Sequence, residues 1–240
     1  MDDGSTDGTA EAVAFGKPVC PVPYVRNSGK GQALGTNLGV QATKARWIAL
    51  FDDDRLADED WLTKMLQMAQ TTGASCVGSR RVLRFMDGKE RNLGRTRRGL
   101  RGEHVCDAPD GRYPPKLFPK GCSALIARHV FDRVGYFEEG LELGGYDADC
   151  FRAARSAGFR DSYAHEAVVY HLIPRYRVGL EYFKWTSLRV GANFARTDPR
   201  FGTPTQVVLK SIARSGLIVK IATLGARGRA APAHVSGLLS

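Results

Sequence analysis

An apolar run that ends in a triplet of aspartates constrains this chain more than any other feature. Trp47 to Phe51 is continuously apolar, as in a strand that is buried on both faces of a sheet, and Asp52, Asp53 and Asp54 follow it directly. In open α/β sheets, ligands bind beyond the carboxyl ends of the strands. The triplet therefore stands where a binding site is expected.

The rest of the chain alternates between helix and strand patterns, which predicts an α/β fold. An Arg-rich, Gly-punctuated stretch over 79–101 predicts a mobile basic loop. Near the C-terminus, 206–224 has the pattern of a basic amphipathic helix. The other predicted helices are 9–15, a segment ending at 43, 60–70, 124–134 and 147–157, and the other predicted strands are 22–26 and 167–170.

Composition limits the class of protein. With 240 residues, 43% of them apolar, the chain can bury one large core, which predicts a single catalytic-sized domain. Its 5 cysteines are widely spaced, which indicates a reducing compartment, and its first residues lack the pattern of a signal peptide. The formal charge of +10 favours an anionic partner: a nucleotide diphosphate, a lipid head group or nucleic acid.

The acidic triplet has two interpretations. Crowded carboxylates repel each other unless a cation offsets them, and Mg²⁺ or Mn²⁺ prefers oxygen ligands and readily shares them with phosphates. A solvated acidic turn would have the same composition. The opening turn, Asp2 to Thr9, is similarly ambiguous, because short polar residues and glycines also suit an ordinary helix-capping loop.

Motifs in a fixed order resolve part of this ambiguity. DDGSTDGT is followed by Gly31, Asn37 and Gly39, then by FDDD with DEDWL, then by GYFEEGLELGGYDADCFRAARSAG and AVVYH. Together they span 2–171 and resemble the family 2 glycosyltransferases, which have the GT-A fold: a Rossmann-like mixed sheet flanked by helices, typical of nucleotide-diphospho-sugar transferases. The resemblance implies a catalytic domain over 1–175 and a basic helical extension over 176–240.

The resemblance also implies roles in donor binding. Asp3 would accept a hydrogen bond from the nucleotide base, and Asp52 and Asp54 match the ends of the D-x-D motif of the family. Asp52 would contact the ribose or sugar, and Asp54 would bind the Mg²⁺ or Mn²⁺ that bridges the diphosphate. Gly121 resembles the glycine at which the backbone passes close to the donor sugar.

The acceptor side follows from the same resemblance. Asp147 would be the general base that deprotonates the acceptor hydroxyl, in a single displacement that inverts the anomeric carbon, with Asp149 in support. Without the resemblance, both residues would be read as helix N-terminal aspartates. His171 stands where members place a histidine that faces the metal or the diphosphate, although a structural role is equally open, and His165 is expected to be structural.

Two departures from the family pattern bear on activity. Members have a strand and a helix before the DDGS turn, and this chain shows neither, so we expect it to lack the first strand and helix of the domain. Tyr146 stands where members usually have Glu, which bears on how the acceptor is held.

The resemblance therefore implies inverting transfer from a UDP-, GDP- or dTDP-sugar to a saccharide or lipid-linked acceptor. The expected location is cytoplasmic, peripheral on the cytoplasmic membrane face, where the basic C-terminus would meet anionic lipid. One alternative is an inactive remnant that binds the nucleotide-sugar without transferring it. The other is a basic nucleic-acid-binding module, which the absence of any nucleic-acid-binding motif disfavours, so no nucleic-acid partner is expected.

Overall fold

A computed structural model describes residues 1–197 of the chain, apart from 17–19, 28, 90, 109–110, 116 and 142–143, and without the side chains of 193–197. Met1–Val190 forms one compact unit, and a second begins at Gly191. The predicted helix over 206–224 lies outside the described residues. The elements are α1 Thr9–Phe15, α2 Gln32–Gln41, β1 Trp47–Phe51, β2 Arg55–Ala57, α3 Trp61–Thr72, β3 Cys76–Phe85, α4 Gly94–Leu100, β4 Ser123–Ala127, α5 Arg128–Val134, α6 Tyr146–Ser156, β5 Asp161–Ile173, a 3₁₀ helix Arg175–Val178 and α7 Leu180–Thr197.

A mixed sheet of five strands forms the centre, in the order β1-β4-β3-β5-β2. β3 and β5 are parallel, whereas β4 runs antiparallel to β1 and β3, and β2 runs antiparallel to β5. β1, β3 and β5 therefore point in one direction, and β2 and β4 in the other. This is the predicted mixed α/β sheet.

Helices cover both faces of the sheet through their buried apolar residues. On one face, α2, α5 and α6 pack on β1 and β4 through residues such as Val40, Phe131 and Phe151. On the other face, α3 buries Trp61, Met65 and Ala69, which are spaced four residues apart and therefore lie on one side of the helix. None of the described helices is both long and apolar enough to span a lipid bilayer.

Three predicted elements differ in the structure. The predicted loop over 79–101 is wrong, since β3 continues to Phe85 and α4 occupies Gly94–Leu100. The predicted helix over 124–134 begins instead with β4, whose residues are all buried and pair with strands on both sides. The predicted strand over 22–26 forms only an isolated parallel bridge between Arg26 and Asp2.

The outer edge of β1 is open in the described part of the chain. There β1 pairs only with β4, and Ala49 and Phe51 are exposed. A strand missing beside β1 would leave such an edge. That the chain lacks the first strand of its domain stays a prediction.

Candidate active site

The strand directions bring several predicted site residues to the same end of the strands. β1 and β5 end there, and β2 and β4 begin there. Asp52 follows β1, Gly121 precedes β4, and Asp54 precedes β2. His171 lies near the end of β5, paired with Arg55. Topology alone therefore collects residues that are far apart in the sequence.

A cavity of about 840 Å³ opens beside β1 at this end of the strands. Asp3, Asp52 and Gly121, the three residues predicted to bind the donor, all line its wall. Tyr146, the departure from the family pattern, lines it as well, and burial raises the pKa of its phenol well above the usual value. A single cavity thus joins the predicted donor-binding residues to the start of α6.

The carboxylate of Asp3 is held from one side only. Its Oδ1 accepts hydrogen bonds from Asn27 Nδ2 at 2.6 Å and from the Gly31 backbone N–H at 3.0 Å. Asn27 is buried and also donates to the Gly31 carbonyl at 2.7 Å, so its amide locks both residues. Asp3 Oδ2 accepts no hydrogen bond from the described residues, which leaves it available to a ligand. The sequence analysis missed Asn27, whose only signal is its place just before the glycine-rich start of α2.

Asp52 and Asp54 share one arginine. Arg55 Nη2 donates to Asp52 Oδ2 at 3.1 Å, and Arg55 Nε lies 3.7 Å from Asp54 Oδ1. Burial raises the pKa of Asp52, against the opposing charge of Arg55. Gln32 Nε2 reaches the other oxygen of Asp52 at 3.4 Å. Arg55 stands directly after the triplet in the sequence, and this adjacency was a signal that the sequence analysis did not use.

A second cluster surrounds the other oxygen of Asp54. His171 Nε2 lies 3.2 Å from Asp54 Oδ2, and Arg177 Nη1 donates to the same atom at 2.6 Å. His171 Nδ1 lies 2.7 Å from the Arg101 carbonyl, which fixes the plane of the ring. Burial alone would raise the pKa of Asp54, but the hydrogen bonds from His171 and Arg177 outweigh it and lower that pKa below the usual range.

The donor set around Asp54 fits a divalent cation in part. Asp54 Oδ1 is buried 3.7 Å from Arg55 Nε, so Oδ2, which lies 3.2 Å from His171 Nε2, is the oxygen that a metal would share with the histidine. Asp54 and His171 offer a carboxylate and an imidazole, and Mg²⁺ and Mn²⁺ take their remaining ligands from water and phosphate. Within the described ranges no group of three or more His, Cys, Asp or Glu side chains converges as a complete metal site.

Asp147 lies in the first turn of α6 and contacts Gly121. The Gly121 backbone N–H donates to Asp147 Oδ2 at 3.0 Å, which orients this carboxylate beside a residue of the cavity wall. Asp149 pairs at 2.5 Å with Arg152 Nη1, a residue of the same helix. His165, predicted to be structural, is exposed on β5 and lies 3.8 Å from Glu166.

Two arginines from the predicted loop lie inside the fold. Arg81 is buried on β3, and its guanidinium donates to Cys122 Sγ, while its charge acts on Asp52. Arg101 is buried after α4, with the Phe183 ring centroid 3.6 Å from its Cζ. The sequence did not single out either residue, because the arginine-rich composition of 79–101 predicted a loop exposed to solvent. Arg81 adds positive charge near Asp52, and the charge of Arg101 acts on Arg177.

Comparison with known proteins identifies the family. The family model described as "Glycosyl transferase family 2" matches residues 1–137, more than half of the chain. This chain belongs to glycosyl transferase family 2. The predicted resemblance is thereby confirmed, and the sheet described above is that of a GT-A domain.

Curated relatives of this family 2 chain include proteins named for polysaccharide synthesis. Succinoglycan biosynthesis protein ExoM of Rhizobium meliloti (strain 1021) is 26% identical over 208 residues, which is 81% of this chain. Succinoglycan biosynthesis protein ExoO of the same organism is 34% identical over 93 residues, which is 37% of this chain. The chain spans 62% of the length of the first relative and 26% of the second.

Solved structures of glycosyltransferases share the fold of the family 2 chain. The mannosyltransferase PcManGT from Pyrobaculum calidifontis, solved in complex with GDP-Man and Mn²⁺, superposes with a TM-score of 0.57 at 18% identity, over 93% of this chain and 69% of its own. S. aureus TarS, in complex with UDP-GlcNAc, gives a TM-score of 0.50 at 14% identity, over 82% of this chain and 57% of its own.

Proposed function

We propose that this family 2 chain transfers a sugar from a nucleotide-sugar donor to a saccharide or lipid-linked acceptor, with inversion and with Mg²⁺ or Mn²⁺. The observation that carries the proposal is the cavity beside β1, because its wall joins Asp3, Asp52 and Gly121, and Gly121 touches Asp147. Donor-binding groups and a base must share one cavity if a hydroxyl is to attack the anomeric carbon of a bound donor.

The free oxygen of Asp3 is placed to accept a hydrogen bond from a nucleotide base. Its other oxygen is fixed by Asn27 and Gly31, so the carboxylate needs no reorganisation when a ligand binds. Asp52, which also lines the cavity, is suited to hydroxyls of the ribose or sugar, which donate to a carboxylate. The nucleotide would be a uridine, guanosine or deoxythymidine diphosphate.

Asp54 and His171 would hold the divalent metal. When bound, the metal supplies positive charge that stabilises the departing diphosphate. The short distance between Asp54 Oδ2 and His171 Nε2, 3.2 Å, and the fixed His171 ring support this assignment, as does Mn²⁺ in the complex of the mannosyltransferase from Pyrobaculum calidifontis. Arg55 and Arg177 add charge of the same sign beside Asp54.

Asp147 would take the proton of the acceptor hydroxyl at its carboxylate. The Gly121 N–H holds Oδ2, and Oδ1 then remains for the acceptor. The single displacement inverts the anomeric configuration, and Asp149 would support the start of α6.

A role in polysaccharide or lipid-linked saccharide assembly at the cytoplasmic membrane face extends this proposal. The names of the succinoglycan biosynthesis relatives and the charge of +10 support it, since anionic lipid attracts basic segments. The segment expected to meet the membrane, 206–224, lies outside the described residues.

Nucleotide release tests the proposal. UDP-, GDP- and dTDP-sugars are incubated with Mn²⁺ and the wild type, Asp54→Ala or Asp58→Ala, which removes a nearby carboxylate outside the cavity wall. We expect release from one donor class by the wild type and by Asp58→Ala, and a loss of at least about a hundredfold in Asp54→Ala. Donor binding without release would instead favour the inactive remnant, and neither binding nor release would contradict donor use altogether.

A further inference from the structure

Arg177 occupies Asp54 Oδ2, the oxygen that faces His171 and that a metal held by both residues would use. Its Nη1 donates to Asp54 Oδ2 at 2.6 Å and lies 3.3 Å from His171 Nε2, so one guanidinium nitrogen sits against both proposed metal ligands. Arg177 lies on the 3₁₀ helix Arg175–Val178, which follows β5, the strand that carries His171.

The guanidinium and a divalent cation cannot both hold this position. A metal bound to Asp54 Oδ2 at about 2.1 Å would lie within about 5 Å of a guanidinium nitrogen that stays where it is. Like charges at that separation repel strongly near a protein surface. Metal binding at this oxygen therefore requires Arg177 to move.

We propose that Arg177 is a built-in counter-cation that holds Asp54 until a divalent metal and a nucleotide diphosphate arrive together. It is a positioning residue: it neutralises Asp54 in the empty site and turns to the diphosphate when the metal displaces it. This inference rests on the proposed function, since it takes the diphosphate of the donor as the anion that receives the arginine.

The surroundings of Arg177 favour an exchange of this kind. Away from Asp54 and His171, its Nε donates to the hydroxyl of Tyr176 at 3.2 Å, and among the described residues Asp54 is the only carboxylate that it pairs with. Its side chain is 24% exposed and lies against the rings of Tyr176 and Tyr182, surfaces along which a guanidinium can shift. A displaced Arg177 therefore needs a new anion.

The positive charge around Asp54 explains why the metal should bind together with the diphosphate. Arg55 and Arg101 are buried near Asp54 and His171, and each has guanidinium nitrogens without a hydrogen-bond partner in the described residues. Adding a metal alone would increase an existing surplus of positive charge. A metal that binds together with a diphosphate would not increase this surplus, because the anion offsets the charge of the metal. The metal and the diphosphate should therefore bind with positive cooperativity.

Mn²⁺ binding without nucleotide gives a direct test. Free Mn²⁺ is measured by EPR during titration of the wild type, Arg177→Gln, Arg177→Lys and Arg175→Gln. The last variant removes the same charge from an exposed position of the same 3₁₀ helix. We expect Arg177→Gln to bind Mn²⁺ at least about fivefold more tightly than the wild type, and Arg177→Lys and Arg175→Gln to stay within about twofold of it.

The nucleotide arm uses UDP and GDP as probes. With Mn²⁺ saturating, calorimetry should show that Arg177→Gln binds the preferred diphosphate about tenfold more weakly than the wild type, while Arg175→Gln does not. Equal Mn²⁺ affinity in Arg177→Gln and the wild type would overturn the inference, as would absence of Mn²⁺ binding in all variants. Donor cleavage that persists in either case would leave the proposed transferase standing, so the two failures are distinguishable.

Discussion

Gly121 and Asp147 approach each other so closely that residue 121 has no room for a side chain. A Cβ built on Gly121 would lie 2.9 Å from the Cβ of Asp147, closer than real Cβ atoms pack, and the N–H of the same glycine donates to Asp147 Oδ2 at 3.0 Å. Both contacts act on the proposed base. The glycine therefore sets where the Asp147 carboxylate sits relative to the cavity wall.

Gly121→Ala should displace the proposed base without removing it. A shift of about 1 Å in a reacting group can cost about a hundredfold in rate, so we expect kcat to fall about 10- to 100-fold. The affinity for the donor nucleotide should change less than the rate. Steady-state kinetics with separate calorimetry of nucleotide binding measures both. Gly99→Ala, at an exposed helical glycine with open space around it, is the matched control and should leave kcat unchanged.

Asp3→Ala should weaken donor binding and leave the chemical step intact. The free oxygen of Asp3 would lose its hydrogen bond to the base, and a hydrogen bond to a charged group accounts for about 1.5–3 kcal/mol, or roughly 10- to 100-fold in affinity. We expect the KM of the donor to rise by this factor with kcat within about twofold. Asp7→Ala removes an exposed carboxylate from the same opening turn and should behave as the wild type. A fall in kcat at unchanged KM would contradict the role given to Asp3.

His104 should make the fold less stable as the pH falls. Its ring is buried, stacks on Tyr113 with centroids 5.7 Å apart and has a pKa lowered from 6.5 to about 3, chiefly by burial. The unfolded chain therefore binds a proton below pH 6.5 that the folded chain refuses until about pH 3, so stability falls with pH throughout this window. At pH 5 this amounts to about 2 kcal/mol.

Urea unfolding at pH 7.5 and at pH 5 measures this loss. His104→Phe keeps an aromatic ring against Tyr113 but cannot take up a proton, and we expect its pH dependence to be smaller by about 2 kcal/mol. His165→Gln removes an exposed histidine and should retain the dependence of the wild type. An unchanged slope in His104→Phe would show that another group titrates.

The sequence predicted those elements whose burial pattern is distinctive. The four-residue spacing of Trp61, Met65 and Ala69 in α3 indicates a helix with one buried side. The apolar run of β1 correctly predicted a strand, but its burial on both faces was wrong, since Ala49 and Phe51 are exposed. β4 was misread because a short run that is buried throughout reads as helix or strand equally well without its neighbours. Pairing with β1 and β3 makes this segment a strand, and such pairing cannot be seen in the sequence of the segment alone.

The site was predictable where motifs are acidic and hidden where arginine dominates. Asp52 and Asp54 belong to a triplet of aspartates after a strand, a pattern that is visible in the sequence. Arg81 and Arg101 lie in a stretch whose composition indicates solvent, yet both are buried. Arg177 is 123 residues from Asp54, so only the antiparallel pairing of β2 with β5 brings the two together. The roles assigned to the site residues stay predictions until they are measured.

The most direct test of the account is the fate of the donor sugar in Asp147→Asn, with water as the acceptor. Using the donor class that the wild type cleaves, proton NMR follows the anomeric configuration of the first sugar released, and calorimetry follows donor binding. We predict an inverted sugar from the wild type, donor affinity in Asp147→Asn within about threefold of it, and hydrolysis slowed at least about a hundredfold. A sugar released with retained configuration, or an Asp147→Asn variant that hydrolyses the donor at the wild-type rate, would contradict the account.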